Sequence, residues 1–216
     1  MADRAVGIDL GARALHVAVL DTSRPRFTVV ETAVVRPDEE GAVLALCDGA
    51  AAIAIDAPSD PSSTPHAGDP TLSPKFRVAR CGEIALGQDH RSWVPWVTPE
   101  AVDISPPWMQ VGFRVWELLR DAGHAPMEVY PAGAFRALAG TTLPKKSTVA
   151  GRRARHGVLE RHIELPSDAS AWGHDTIDAT VASLVAAWSA TSGPVVAAGH
   201  DHAGADGSAI WIPVRS

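Results

Sequence analysis

The sequence predicts an α/β fold with a sheet of mixed strand direction, for three reasons. Three β-rich runs joined by short connections open the chain and favour an antiparallel meander: 4–10, 14–21 and 27–35. The nearly all-apolar run 51–58 is typical of a central strand that is buried on both faces. Helical patterns then alternate with short strand patterns along the rest of the chain.

The helices are predicted from apolar periodicity and from end signals. Residues 37–50 form the first, with three acidic residues near its N-terminus, where the helix dipole favours negative charge. Residues 107–123 show one apolar stripe, which predicts an amphipathic helix packed in the core. The last long helix, within 173–188, has the strongest apolar pattern of the chain. Short strands are expected in 127–135 and in the final "SAIWIP".

Residues 58–107 interrupt this alternation. They contain nine of the 17 prolines of the chain, and a short helix is expected around 77–87. Long proline-rich segments inside a compact domain tend to be lids or binding loops. Because no internal repeat or linker is present, the sequence predicts a single domain over 1–216 with an insertion at about 58–107.

Composition limits the class of protein. The 216 residues are 46% hydrophobic and 20% charged, which suits a globular domain with a core. The net charge of -6 argues against bulk electrostatic binding of nucleic acid but leaves room for a local basic groove. Cys47 and Cys81 lack CxxC spacing, so free thiols in a reducing compartment are expected. The lack of a signal-peptide or membrane-spanning run predicts a cytoplasmic protein without membrane association.

Four aspartates occupy positions that suit a common site. Asp9 ends the first strand and Asp56 ends the most apolar one, and these strands are expected to be central neighbours. Asp175 and Asp178 open the last long helix, and their three-residue spacing turns both toward one helix face. A helix that docks its N-terminus at the strand ends would bring all four carboxylates together.

A cluster of carboxylates is unstable alone, because like charges at close range raise one another's pKa values. A divalent cation relieves this repulsion, and all-oxygen ligands suit Mg²⁺ or Mn²⁺. Two such ions about 4 Å apart can activate a water and stabilise the leaving oxygen in phosphodiester cleavage. The other interpretation is that Asp9 and Asp56 only form turns and that Asp175 only complements the helix dipole. Asp56 and Asp178 fit that interpretation less well, since both fall within apolar runs.

Four segments, in this order and at about this spacing, resemble the DUF429 family: "GIDLG", "AIDAP", "EVYPAGAF" and "HDTIDA". The resemblance covers residue 5 to about 190 and includes "GSAIWIP" near the C-terminus. It implies a predicted nuclease with an RNase H-like fold, that is, a mixed five-stranded sheet with antiparallel first three strands and flanking helices. The Asp-x-x-Asp pair of the last helix also resembles RuvC-type Holliday-junction resolvases. Those enzymes act as dimers, and a homodimer is compatible with this sequence.

In that superfold, acids of the first strand, the central strand and the last helix hold the metal ions. The resemblance therefore implies four metal ligands and catalytic residues, Asp9, Asp56, Asp175 and Asp178. It also implies Mg²⁺ or Mn²⁺ as the cofactor, with a two-metal site as one form, and nucleic acid of unspecified type as the partner.

Glu128, Lys146 and Arg152 each have two interpretations. Glu128 belongs to the family's "EVYP" pattern and is either an outer ligand or base, or the partner of a buried arginine such as Arg80. Lys146 and Arg152 lie in the basic segment 145–161. They either contact a substrate phosphate near a helix N-terminus or form a solvated charged face.

His174 and three tryptophans are also ambiguous. His174 precedes Asp175 and either shuttles protons or orients a metal-bound water, or it belongs only to the helix cap region. Trp93, Trp96 and Trp108 lie in or near the proline-rich segment. They either stack on nucleobases or pack beneath the loop, and packing is the favoured interpretation.

The predicted function is divalent-metal-dependent phosphodiester hydrolysis by a nuclease. A phosphotransferase of the actin–hexokinase superfold is an alternative, since it also begins with a "GIDLG"-like strand, but it needs a second glycine-rich phosphate loop that the sequence lacks. A non-catalytic module that binds nucleic acid or protein is the third hypothesis. The acidic charge balance favours that module, and the intact set of acids argues against it.

Overall fold

The computed structural model describes residues 3–200 and 206–214, and a mixed sheet lies at its centre. The strands are β1 (Arg4–Leu10), β2 (Leu15–Asp21), β3 (Thr28–Val35), β4 (Ala52–Asp56), β5 (Met127–Val129), β6 (Val195–Ala198) and β7 (Ile210–Pro213). Their order in the sheet is β3-β2-β1-β4-β5-β7-β6. β1, β2 and β3 are antiparallel neighbours, β4, β5 and β7 continue in parallel from β1, and β6 is antiparallel to β7. The predicted α/β class and the antiparallel first three strands are confirmed.

The predicted number of strands was wrong, because the sheet has seven strands rather than five. β7 falls on the late strand expected at "SAIWIP". β6 lies at the sheet edge, in a glycine-flanked stretch whose four residues are too few to show a clear alternation. The prediction of one domain over 1–216 includes positions outside the described residues and stays a prediction.

Helices cover both faces of the sheet. The α-helices of the described residues are α1 (Glu40–Cys47), α2 (Pro74–Arg77), α3 (Cys81–Gln88), α4 (Pro107–Asp121), α5 (Pro131–Ala139), α6 (Val149–Leu159) and α7 (His174–Ala190), and a 3-10 turn covers Ala169–Ala171. The helix expected around 77–87 corresponds to α3, which starts four residues later and follows the separate short helix α2. Within 3–200 and 206–214, no helix has both the length and the apolar character needed to cross a membrane.

The pleat of β1 divides its side chains between two cores. Ala5 lies in one core with residues of α5, α6 and α7, and Gly7 and Asp9 share that face. Val6 and Ile8 lie in the other core with residues of α1 and α4. β4 alternates in the same way, so the central strands are buried on both faces, as their apolar runs predicted.

α7 crosses the sheet at β1, and a glycine sets how closely it packs. A Cβ on Gly7 would lie 2.1 Å from the Ala179 carbonyl oxygen and 2.2 Å from the Ser183 nitrogen, so no larger residue fits. The apolar residues of α7 from Ile177 to Ala187 are buried against this face of the sheet. The position of the α7 N-terminus relative to the ends of β1 and β4 is therefore fixed.

Replacing Gly7 with alanine should destabilise the fold strongly, because the new Cβ would clash with backbone atoms of α7. We expect a loss of about 2–4 kcal/mol in the free energy of unfolding, measured by urea denaturation. Gly157→Ala in α6 is the matched control, since a Cβ there meets nothing within 4 Å. That control should be neutral or stabilising by up to about 1 kcal/mol. Equal stabilities of the two variants would contradict the close packing of α7 on β1.

Candidate active site

Three polar residues form a row across the sheet at the ends of neighbouring strands. Asp9 of β1 pairs with Asp56 of the parallel strand β4 and with His16 of the antiparallel strand β2. Directly opposed residues on adjacent strands point to the same face of a sheet. Here that face is the one that α7 covers, so Asp9 and Asp56 lie side by side beneath the start of α7.

α7 adds two aspartates at different depths. Asp178 is 2% exposed, and its charge raises the pKa values of both Asp9 and Asp56, so the three carboxyl groups are close neighbours. Asp175 lies nearer the start of the helix, and its side chain is 40% exposed. All four aspartates line one cavity. The structure thus brings Asp9, Asp56 and Asp178 together at the base of the cavity and places Asp175 at its rim.

Burial and the repulsion between neighbouring carboxylates raise the pKa values of Asp9 and Asp56. Burial raises the pKa of Asp9 well above its usual value, and Asp56 and Asp178 raise it further. Burial and the charge of Asp178 raise the pKa of Asp56 to about 7. A hydrogen bond joins the Asp9 and Asp56 carboxyl groups, which requires a proton on one of them. A proton held between the two carboxyl groups therefore relieves the repulsion within the pair.

Lys146 supplies positive charge to this cluster. Its Nζ lies 2.5 Å from Oδ2 of Asp178. Burial lowers the pKa of the lysine, but attraction by Asp178, Asp9 and Asp56 outweighs burial and raises the pKa overall. Burial likewise raises the pKa of Asp178, against the pull of Lys146. Lys146 is paired with a carboxylate here, so its predicted contact with a substrate phosphate stays a prediction.

The donor chemistry of the cluster fits a hard divalent cation. Three buried carboxyl groups whose pKa values are all raised, Asp9 and Asp56 in part by the charge of Asp178, are what such a cation would neutralise. Within 3–200 and 206–214, however, no three His, Cys, Asp or Glu side chains are arranged to hold a metal ion as they stand. In this arrangement Asp178 is paired with the ammonium of Lys146 instead. The Mg²⁺ or Mn²⁺ site stays a prediction.

Asp175 forms a second, more exposed polar group with two histidines. Nε2 of His16 lies 3.8 Å from Oδ2 of Asp175, and Nδ1 of His174 lies 2.5 Å from its Oδ1. Burial lowers the pKa of His16 despite the neighbouring carboxylate, which favours a neutral ring at pH 7. His174 contacts Asp175 rather than the buried carboxyl groups, and its predicted role in proton transfer stays a prediction.

Glu128 does not join the acidic cluster, because it pairs with Ile55 rather than with Asp56 and so faces the other side of the sheet. Its two carboxylate oxygens accept hydrogen bonds from Arg80 at 2.6 and 2.8 Å, and one of them also accepts from the Ser59 backbone. Arg80 is 2% exposed. Of the two interpretations of Glu128, the structure supports the one in which it holds a buried arginine.

Arg80 attaches the proline-rich insertion to the sheet. It precedes α3, and besides Glu128 its guanidinium donates to Glu83 and to the hydroxyl of Thr98. The Thr98 hydroxyl and backbone N–H donate to Glu83 in turn. Burial opposes the charge of Arg80, but the two glutamates outweigh it and raise the pKa of the guanidinium. The insertion is thus fixed to the sheet through Glu83, which also lines the cavity.

The cavity has a volume of about 710 Å³, which is within the range of ligand sites. Sequence reasoning missed several polar residues that line it, Arg13, His16 and Tyr130, whereas Arg155 lies in the predicted basic segment 145–161. A signal for His16 was available, since the tight turn between β1 and β2 fixes its pairing with Asp9. Arg152, predicted either as a phosphate contact or as part of a solvated charged face, donates to the Ser147 carbonyl, and its phosphate contact stays a prediction.

The fold and this cavity define an α/β protein with an acid-lined cavity at the carboxyl ends of two central parallel strands. The family model described as "Protein of unknown function (DUF429)" matches residues 96–202. The resemblance to DUF429 that the sequence motifs predicted is therefore confirmed. The matched segment contains Asp175 and Asp178, whereas Asp9 and Asp56 precede it.

Two solved structures are similar over most of the chain. RuvC of Thermus thermophilus is 16% identical, with 88% of this chain and 96% of that chain covered and a TM-score of 0.44. The second, described as T. thermophilus RuvC in complex with Holliday junction substrate, is 15% identical, with 88% and 94% covered and a TM-score of 0.44. No curated protein sequence matches this chain.

Removing one of the crowded carboxylates should stabilise the metal-free protein at high pH. The raised pKa values of Asp9 and Asp56 mean that the folded state binds more protons than the unfolded state between about pH 4 and 7, so stability falls as pH rises through this range. In EDTA, we expect Asp9→Asn to raise the Tm by about 2–4 °C at pH 8 and by less at pH 5. Calorimetry across this range measures the difference.

Asp121→Asn, at the exposed end of α4, is the control for that experiment and should follow the wild type at every pH. A wild-type Tm that does not fall between pH 5 and pH 8, or an Asp9→Asn variant that is less stable at pH 8, would contradict the repulsion.

Glu128→Ala should cost about 3–5 kcal/mol in the free energy of unfolding, because it removes one of the two carboxylates, those of Glu83 and Glu128, that neutralise the buried guanidinium of Arg80. Asp60→Ala is the matched control. It removes the carboxylate of an exposed ion pair with Arg120, 2.9 Å long, and should cost less than about 1 kcal/mol. Chemical denaturation of both variants checks the contrast, and similar losses would argue against a structural role for Glu128.

Proposed function

We propose that this chain is a divalent-metal-dependent phosphodiesterase, and specifically a nuclease with an RNase H-like fold. The convergence of Asp9, Asp56 and Asp178 at the base of one cavity is the observation that supports it most directly. The carboxyl ends of parallel strands are the usual ligand-binding edge of an α/β sheet. The order β3-β2-β1-β4-β5, with β2 antiparallel to β1, also fits the fold that the DUF429 resemblance implied.

In this proposal Asp9, Asp56 and Asp178 hold the cation, and Asp175 completes the site from the rim. A bound Mg²⁺ or Mn²⁺ would supply charge neutralisation and a water of lowered pKa. Lys146 is half-exposed beside the same carboxylates and is placed to pair with a phosphate oxygen of the substrate.

His16 extends the row of site residues toward the cavity rim. Its lowered pKa keeps the ring neutral at pH 7, so a ring nitrogen is able to accept a proton there. Its contacts with Thr176 and Asp175 also fix the orientation of the ring. We assign it the role of holding Asp175 in place and of taking up a proton near the rim.

The test is a cleavage panel with Mg²⁺ and with Mn²⁺ that covers single strands, duplexes, RNA–DNA hybrids and branched junctions. Wild-type protein should cleave at least one of them. Asp9→Asn and Asp178→Asn should each lower the rate by about 100-fold or more, because each removes a proposed ligand. Asp121→Asn, purified in the same way, should match the wild type. Equal cleavage by the wild type and Asp9→Asn would show a contaminating nuclease.

Metal binding is measured separately from cleavage. Titration calorimetry with Mn²⁺ should show binding to the wild type that Asp9→Asn weakens by about tenfold or more. No binding at millimolar Mn²⁺ would overturn the metal site. Thermal stabilisation by ATP, together with no cleavage of any nucleic acid, would instead favour the phosphotransferase alternative, and nucleic-acid binding without metal binding would favour the non-catalytic module.

A further inference from the structure

We propose that the cavity takes an unpaired nucleotide whose base stacks on Trp96, so that the substrate is single-stranded nucleic acid. The inference rests on the proposed function, because it assumes that the carboxylate cluster acts on a phosphodiester. It adds the structural class of the substrate, which the cluster of acids by itself leaves open.

Trp96 is an exposed indole beside buried carboxylates. It is 62% exposed and lines the same cavity as Asp9, Asp56 and Asp178. Trp93, three residues earlier, is used differently: its ring lies 4.5 Å from that of Phe76, in a tilted contact. Packing therefore explains Trp93 but not Trp96, whose ring is available to a ligand.

The cavity wall that includes Trp96 is largely apolar, and the acidic cluster lines the same cavity. Pro95, Trp108 and Met109 also line this cavity. Tyr130 also lines it, and burial and the charge of Asp56 raise the pKa of the phenol to about 12, so the tyrosine stays neutral next to the carboxylates. An apolar wall adjoining a group of acids suits a ligand with an aromatic ring at one end and a phosphodiester at the other.

The wall is held in position before any ligand arrives. Thr98, two residues after Trp96, is part of the buried hydrogen-bond network of Arg80 and Glu83. On the other side, the Lys75 ammonium donates to the Pro95 carbonyl at 2.8 Å. A side chain on a backbone that is already ordered loses less entropy on binding, which favours stacking at this position.

The depth of the carboxyl groups and the absence of base pairing in a single strand favour single-stranded nucleic acid over a duplex. Asp9 is only 6% exposed and Asp178 less, so a phosphodiester must enter the cavity to reach them. The bases of a duplex are stacked on one another inside the helix and present no face to an indole, whereas an unpaired base does. Arg13 is exposed in the turn between β1 and β2 and lines the cavity, where it suits the phosphates of a continuing strand.

The experiment measures binding without metal and without cleavage. Asp9→Asn protein in EDTA is titrated into a fluorescently labelled 12-nucleotide single strand and into the blunt duplex of the same sequence, at one fixed salt concentration. Three further variants are made in this background. Trp96→Ala removes the ring, Trp96→Phe keeps an aromatic face, and Ile104→Ala removes an equally exposed apolar side chain of the same insertion that does not line the cavity.

We expect the single strand to bind at least about tenfold more tightly than the duplex. Trp96→Ala should weaken that binding by about 5- to 100-fold, Trp96→Phe should restore most of it, and Ile104→Ala should leave it unchanged. Equal affinities for strand and duplex, or equal effects of Trp96→Ala and Ile104→Ala, would overturn the inference. Competition by thymidine monophosphate as effective as that by the strand would also overturn it, since the site would then serve a free nucleotide.

These outcomes are distinguishable from those of the cleavage panel. Cleavage that depends on Asp9 but has the same KM in wild type and Trp96→Ala would support the nuclease function and contradict stacking on Trp96. Binding of the single strand that depends on Trp96, in a protein that cleaves no substrate with Mg²⁺ or Mn²⁺, would support stacking on Trp96 and overturn the proposed hydrolysis.

Discussion

The contact of α7 with β1 at Gly7 is the constraint on which the site depends. Because no Cβ separates the two backbones, the helix packs directly against the strand. Asp178, about one turn before Ser183 in the helix, is buried as a result. Gly7 and Asp9 share a face of β1, so the strand brings its own acid to the same place. Burial of the whole apolar side of α7 supplies the free energy that keeps these carboxyl groups together.

That enforced proximity makes the cluster electrostatically unfavourable, and the chain relieves it in two ways. Asp9 and Asp56 share a proton, and Lys146 pairs with Asp178. Both devices can be reversed, since a proton can leave and a half-exposed lysine can turn away. A cluster whose charge is balanced in part by a proton and a half-exposed lysine is suited to exchange those partners for a cation, which is the physical basis of the proposed activity.

A second group of buried charges has the opposite character. Arg80, Glu83 and Glu128 are buried, satisfy one another's hydrogen bonds and hold the proline-rich insertion against the sheet. The insertion in turn presents Trp96 to the cavity. The Arg80 group is thus structural, because hydrogen bonds join its arginine to both glutamates. The cluster of Asp9, Asp56 and Asp178 is a candidate site, because it holds three carboxyl groups whose pKa values are raised.

The sequence by itself determined the meander, the central strands and the face shared by Asp175 and Asp178, because these follow from residue periodicities of two and 3.6 that are local in the chain. The side-by-side placement of Asp9 and Asp56 also followed, since a short apolar strand after a helix tends to pair with the first strand. Only the tertiary structure decided the depth of Asp178 against the exposure of Asp175, and the partners of Lys146 and Glu128. Register and the approach of distant elements set these contacts, and a shift of one residue in β5 would reverse the face on which Glu128 lies. The edge strand β6 was missed for a related reason, because four residues acquire a strand conformation only from the neighbour with which they pair.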